Sequence, residues 1–291
     1  MSIADVKALL AAKSRPVGWG ERRARIEEVG AVTPVAPDIA LEPAVLGGVP
    51  AEWSQAPGAD RSRALIFLHG GGFCSGSIVS HRRLATEAGR AAGRRVLAPA
   101  YRLAPEHPFP AAYDDVLAVW RALLEAGFAP DRIAVGGDSA GGALAAGLAV
   151  RLRDAGEPGP AALWLISPWS DLTQSGATMT SKDGVDPLIH RAYLDELAAA
   201  FAAGAELADP RLSVLNADLR GLPPTLIQVG SHETLLADST RLAARLAEVD
   251  VGVTLEVWPS MIHAFPLWNG ILPEGREAVA HGGAFLRREA L

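Results

Sequence analysis

From residue 64 onward, short and almost continuously apolar runs alternate with longer stretches whose apolar residues recur at helical spacing. The runs fall at 64–69, 95–100, 132–136, 162–167, 224–229 and 253–258. Leu65-Ile66-Phe67-Leu68 and Leu163-Trp164-Leu165-Ile166 show no polar alternation, so they predict strands buried on both faces of a parallel sheet. Between them, Ala140, Leu144, Leu148 and Leu152 recur at i+4 and form one apolar stripe, as do Leu242 and Leu246 further on. Strands alternating with helices predict an α/β fold with a mostly parallel central sheet flanked by helices. Ligands of such a sheet bind at the carboxyl ends of the strands.

Two segments break this rhythm. Residues 1–36 read as one or two amphipathic helices that end in a stretch bounded by Pro34 and Pro37. Residues 172–220 begin polar, between Thr173 and Asp183, then turn helical and Ala-rich between His190 and Ala203. Neither supplies a convincing strand, so both are read as helical cap segments over the carboxyl edge. Residues 37–171 and 221–291 then form the core. No internal repeat is visible.

Composition narrows the partners. The chain has 291 residues, 49% of them hydrophobic and 21% charged, with a net charge of -6. Arg22, Arg23 and Arg25 sit beside Glu21, Glu27 and Glu28, which makes a solvated helix face rather than a phosphate-binding stripe. No nucleic-acid partner is expected. A single cysteine, Cys74, excludes an internal disulfide and a cysteine-based zinc site, and neither metal nor cofactor is expected. Asp5 and Lys7 interrupt the N-terminal apolar positions, so no signal peptide is read. No run approaches the roughly 18 apolar residues of a membrane span. The expectation is a soluble, cytoplasmic protein with no membrane partner.

The chemistry enters at Gly137-Asp138-Ser139-Ala140-Gly141-Gly142, which follows the apolar run Ile133-Ala134-Val135 and opens a helix. A serine at a tight strand-to-helix turn has strained backbone and small neighbours, and its hydroxyl stands exposed as a nucleophile. The helix N-terminus behind it adds partial positive charge where an oxyanion forms. A second glycine motif, His69-Gly70-Gly71-Gly72-Phe73, follows another strand. Successive glycines let backbone N–H groups approach a substrate closely. The segment lacks the Lys-Ser/Thr of a P-loop and the spacing of a dinucleotide fingerprint.

With these motifs the chain resembles the bacterial hormone-sensitive-lipase-like (family IV) carboxylesterases of the α/β-hydrolase superfamily, over nearly its full length. The resemblance extends through the stretch from Tyr101 to Ala111, Ser167-Pro168-Trp169, Asp209-Pro210 and Leu222-Pro223-Pro224. GDSAGG is similar to the subgroup with Asp beside the nucleophile. The resemblance implies that the N–H groups of Gly71, Gly72 and Ala140 form the oxyanion hole. It also implies that His69 and Gly70 support that loop rather than transfer protons.

Seven histidines compete for the role of base. His81 and His281 lie in polar helical stretches and read as surface residues. His107 and His190 fall in a loop and in the cap, and His232 adjoins the candidate acid. His263 lies just beyond the last strand, downstream of the acid as the order Ser…acid…His requires. It also matches the family pattern W/Y-P-x-M-x-H-x-F through Trp258 to Phe265. Glu233 follows Val229-Gly230-Ser231-His232, where family members usually carry Asp and some carry Glu. Asp238 is the rival acid, expected one turn into the next helix and facing away.

The expected reaction is hydrolysis of a small-molecule carboxylic ester by Ser139, His263 and Glu233 through an acyl-enzyme. A lactone hydrolase would need the same residues. A non-catalytic, receptor-like member would have lost the base, which this chain retains. Phe73, Asp138, Phe201, Ile262, Phe265 and Trp268 are candidates for the substrate pocket. Cys74 reads as a packed thiol, and Asp114, Asp115 and Asp171 read as structural acceptors. A homodimer through the edge strand 253–258 is expected from the resemblance.

Overall fold

In the computed structural model, which describes residues 1–290, helices α1 (Ile3–Ala11) and α2 (Gly18–Gly30) precede a hairpin of β1 (Ala40–Leu46) and β2 (Val49–Gln55). Then follow β3 (Asp60–Leu68), α3 (Ile78–Ala92), β4 (Arg94–Pro99), α4 (Ala111–Glu125), β5 (Ile133–Asp138) and α5 (Ala140–Asp154). The second half holds β6 (Ala162–Ile166), a single turn α6 (Thr178–Ser181), α7 (Arg191–Ala202) and β7 (Thr225–Gly230). It closes with α8 (Leu236–Ala247), β8 (Val253–Trp258) and α9 (Pro273–Glu289).

All eight strands form one sheet in the order β1-β2-β4-β3-β5-β6-β7-β8. β1/β2 and β2/β4 are antiparallel, and every other neighbouring pair is parallel. The unbroken apolar runs are explained by cover on both faces. Ala64, Ile66 and Leu68 join the core beneath α4, α5 and α8, whereas Leu65 and Phe67 point the other way, towards α3 and α9. The stripe Ala140, Leu144, Leu148 and Leu152 is buried in the first of these layers. Helix α5 is nevertheless buried nearly all round, because α4 closes its outer face. A Cβ at Gly147 would run into the Tyr113 ring.

The β1–β2 hairpin is an element that the apolar pattern missed. Its strands lie at the sheet margin and mix exposed polar residues with Pro43 and Pro50, so they lack a continuous run. Gly47 and Gly48, with φ of 58° and 79°, make the two-residue turn that fits a twisted antiparallel pair. At the opposite margin β8 has one neighbour only and leaves Val257 exposed.

The parallel strands aim their carboxyl ends at one edge. The loops after β3, β5, β7 and β8 therefore bring residues near 70, 139, 233 and 263 to that edge, although they lie far apart in the chain. Helices α1 and α2 and the segment from Pro187 to Leu197 wall the cavity above it. Among the described residues, no helix is long and apolar enough to cross a membrane.

Candidate active site

β5 ends at Asp138 and α5 begins at Ala140, so Ser139 makes the whole turn, with φ 54° and ψ -119°. That conformation is costly for a residue with a Cβ and survives only where neighbours hold it. Ser139 N–H donates to Ile166 O at 2.8 Å, and its carbonyl accepts from Ala143 and Trp169 N–H, each at 3.1 Å. The flanking glycines are required by space. A Cβ at Gly137 or Gly141 would run into the Leu68 carbonyl, and one at Gly142 would meet Pro168 Cβ at 3.1 Å.

The loop after β3 is folded back beside this turn. Gly71 and Gly72 have φ of 121° and 62°, and the Gly71 carbonyl accepts from Cys74 N–H at 3.2 Å and from Ser75 N–H at 2.9 Å. Tyr101 stacks on His69 at 4.2 Å and donates its hydroxyl to His69 O at 2.6 Å. His69 Nδ1 lies 2.8 Å from Gly70 O. Burial first, with His81 nearby, pushes the His69 ring down to about 3, so it is neutral. Among the described residues, the N–H groups of Gly71, Gly72 and Ala140 have no acceptor within the protein. Ala140 opens α5, so its N–H is one of the donors that a helix leaves free.

Across the site, His263 Nδ1 lies 2.9 Å from Glu233 Oε2. Glu233 is fully buried, and its Oε1 accepts from Gly230 N–H at 2.5 Å and from Ser167 Oγ at 2.9 Å. Ser167 Oγ in turn accepts from Ala264 N–H at 3.2 Å, which ties the loops after β6, β7 and β8 together. Burial alone would lower the His263 pKa. The hydrogen bond and charge of Glu233, with the charges of Asp186 and Asp138, outweigh it and raise the ring above its ordinary value. Among the described residues, the Ser139 side chain makes no capping hydrogen bond to α5, which leaves its hydroxyl free on the cavity wall.

Asp238 has a different environment. Its Oδ2 accepts from Asp171 N–H at 2.9 Å, and burial, with Asp171 close by, pushes the carboxyl up to about 8. Among the described residues it makes no hydrogen bond to His263. Asp171 is itself an anchor, accepting from Arg241, Thr173 and Ser175. Asp115 and Asp114 pair with Arg102 and Arg151.

Ser139, His263, Gly71, Gly72 and Asp138 border one cavity of about 430 Å³. Helices α1, α2 and α7 supply most of its remaining wall, including Leu10, Ile26, Val29, Leu194 and Leu197. Four pocket candidates from the sequence, Phe73, Phe201, Phe265 and Trp268, stand outside this wall, as does Ile262. Phe73 and Phe201 stack face to face at 3.9 Å in the core beneath the loop. Ile262, Phe265 and Trp268 pack with Val6 and Met261 in a separate cluster. The Cys74 thiol is buried, which pushes it up to about 12.

His81 corrects a second expectation. It reads as a surface residue, yet only 2% of it is exposed, and it faces Asp138. The polar helix that carries it hides the fact that its own face turns towards the loop after β3. His281 stays about half exposed, at 48% of its side chain. Ser167 and Asp186 were also missed as supports. Asp186 accepts from Leu188, Ile189 and Thr234 N–H at 2.9, 3.0 and 3.0 Å, fastening the cap to the residue after Glu233. Ser167 had two sequence signals, its place at the end of an apolar strand and the Ser167-Pro168-Trp169 motif, but neither pointed to Glu233. Asp186 had none.

Comparison with known proteins agrees with this geometry. A family profile described as alpha/beta hydrolase fold matches residues 65–267. Fold and relatives define the chain as a carboxylic ester hydrolase. It is 45% identical to an acetyl-hydrolase of Streptomyces hygroscopicus over 83% of this chain and 81% of that one. It is 36% identical to an esterase of Acinetobacter venetianus over 88% of this chain and 84% of that one. A crystal structure of an esterase from the bacterial hormone-sensitive lipase family superposes with a TM-score of 0.96 at 42% identity, covering 99% of this chain and 97% of that one. The chain belongs to that family of bacterial hormone-sensitive-lipase-like carboxylesterases.

Proposed function

We propose that this enzyme hydrolyses short- to medium-chain carboxylic esters through an acyl-enzyme formed on Ser139. The observation that carries the reading is the Glu233–His263 hydrogen bond of 2.9 Å, on the wall of the cavity that also holds Ser139. With Nδ1 engaged by the carboxylate, the ring keeps Nε2 as the nitrogen that accepts a proton.

His263 takes the Ser139 hydroxyl proton while Oγ attacks the ester carbonyl carbon. The carbonyl oxygen becomes an oxyanion within reach of the free N–H groups of Gly71, Gly72 and Ala140, each worth about 3 kcal/mol in the transition state. The intermediate collapses with cleavage of the carbon–alkoxy bond, and His263 gives its proton to the departing alcohol. A water molecule then attacks the acyl-enzyme, its proton passing to His263 and from there to Ser139 Oγ as the acid leaves. Glu233 keeps its hydrogen bond to Nδ1 and so holds the ring in place throughout.

Residues 1–36 and 172–220 act as the cap that shapes the substrate. Their aliphatic lining suits an alkyl chain, and a cavity of about 430 Å³ sits at the small end of ligand sites. Turnover of p-nitrophenyl esters from acetate to laurate, beside a set of lactones, tests this. The proposal expects kcat/KM to peak between butyrate and octanoate and to decline by laurate. A maximum at laurate, or a lactone ahead of every ester, would overturn it.

A further inference from the structure

Behind the oxyanion loop lies a second buried histidine–carboxylate couple that takes no part in these proton transfers. His81, in the first turn of α3, places Nε2 at 3.3 Å from Asp138 Oδ2 and Nδ1 at 2.8 Å from Ser80 Oγ. Ser80 Oγ also lies 3.0 Å from Ser77 O and accepts from Ser77 N–H at 2.8 Å. Asp138 Oδ1 accepts from Gly70 N–H at 3.0 Å. Only 2% of His81 and 2% of Asp138 is exposed.

The proton on Nε2 is assigned from its neighbours, because a carboxylate can only accept. Gly70 N–H, 3.2 Å from Nε2, then belongs to Asp138. Burial alone would push Asp138 up, yet the charge and hydrogen bond of His81, with His263 and His69 behind them, hold it below its ordinary value. An ionised carboxylate thus precedes the nucleophile in the chain and sits against the loop that carries two oxyanion donors. A Cβ at Gly70 would run into that carboxylate, so the contact is as close as backbone allows. An unpaired negative charge at this place would oppose the oxyanion, which forms in the same low-dielectric site.

We propose that His81 is a positioning residue for ester hydrolysis: by donating to Asp138 it fixes that carboxylate on Gly70 N–H beside the oxyanion hole. The proposal rests on Ser139 as nucleophile and on Gly71, Gly72 and Ala140 as donors. His81 acts only through Asp138, so its loss should appear in transition-state stabilisation and should be repaired when the carboxylate is neutralised.

The test compares His81→Leu, His81→Gln and the double variant His81→Leu/Asp138→Asn with the parent on p-nitrophenyl butyrate. The inhibition constant of a trifluoromethyl ketone, whose adduct places an oxyanion in the hole, is measured alongside. His81→Leu should lower kcat by about tenfold or more and weaken the ketone by a similar factor, with KM nearly unchanged. His81→Gln, which keeps a donor, should recover most of the loss. The double variant should turn over faster than His81→Leu alone. Should His81→Leu fail to fold, the double variant is expected to regain folded, active protein, because the cause is the same stranded charge. Parental kcat in His81→Leu, or a double variant no better than His81→Leu in turnover or folded yield, would overturn the proposal. A parent that hydrolyses no ester, or a Ser139→Ala variant that keeps turnover, would strike the underlying reading instead.

Discussion

Glu233 and Asp238 lie close in sequence and end in opposite environments. Glu233 receives a backbone N–H, a serine hydroxyl and an imidazole, whereas Asp238 keeps one oxygen without a partner and is pushed up to about 8. Two consequences follow at this scale. In the proposed mechanism the base is neutral His263, whose pKa is raised, so activity should be lost as pH falls through that raised value. The acid limb of kcat/KM should therefore lie above the ordinary imidazole value of about 6.5. Glu233→Gln should lower kcat by about 100-fold or more and move the limb downward, as a pH–rate profile will show. For Asp238 the sign is reversed and concerns stability. Between roughly pH 4 and pH 8 the folded state holds a proton that the unfolded chain has released, so stability falls as pH rises through that window. Asp238→Asn should flatten this slope in thermal melts across the window while kcat stays close to parental.

Among the elements, legibility followed burial on two faces. β6 and the second half of β3 show as unbroken apolar runs, and β5 and β7 as nearly so, because helices cover both sides of the central sheet. β1 and β2 do not, since one side meets water and the hairpin announces itself only through Gly47-Gly48. Helices α1, α2 and α7 fall within the segments read as helical, but the sequence does not show what they touch. Helix α2 meets α7 through the buried Arg22 side chain, which pairs with Glu196 and lies between the Trp19 and Tyr193 rings. Leu197 of α7 stands over Gly72, where a Cβ would strike its Cδ1. Leu197→Ala should therefore widen the cavity beside Gly72 and shift the kcat/KM optimum towards longer acyl chains. The measurement is the same p-nitrophenyl series, and an unchanged chain-length profile would remove α7 from the acyl site.

For the molecule as a whole, the parallel topology does the assembling. Motifs that carry their own signal were readable one by one: the glycines around Ser139 relieve clashes with the Leu68 carbonyl, and the triple glycine permits positive φ. His81, Ser167 and Asp186 were not, because each acts through a partner 57, 66 or 48 residues away whose proximity only the fold creates. The same long-range order explains why one residue can decide the central claim. Intact-mass analysis after exposure to a fluorophosphonate, paired with ester turnover, tests it most directly. The account predicts a single adduct on Ser139 in the parent, and in Ser139→Ala a folded protein with no adduct and turnover reduced by about 10⁴-fold or more. An adduct on another residue, or near-parental turnover in Ser139→Ala, would contradict it.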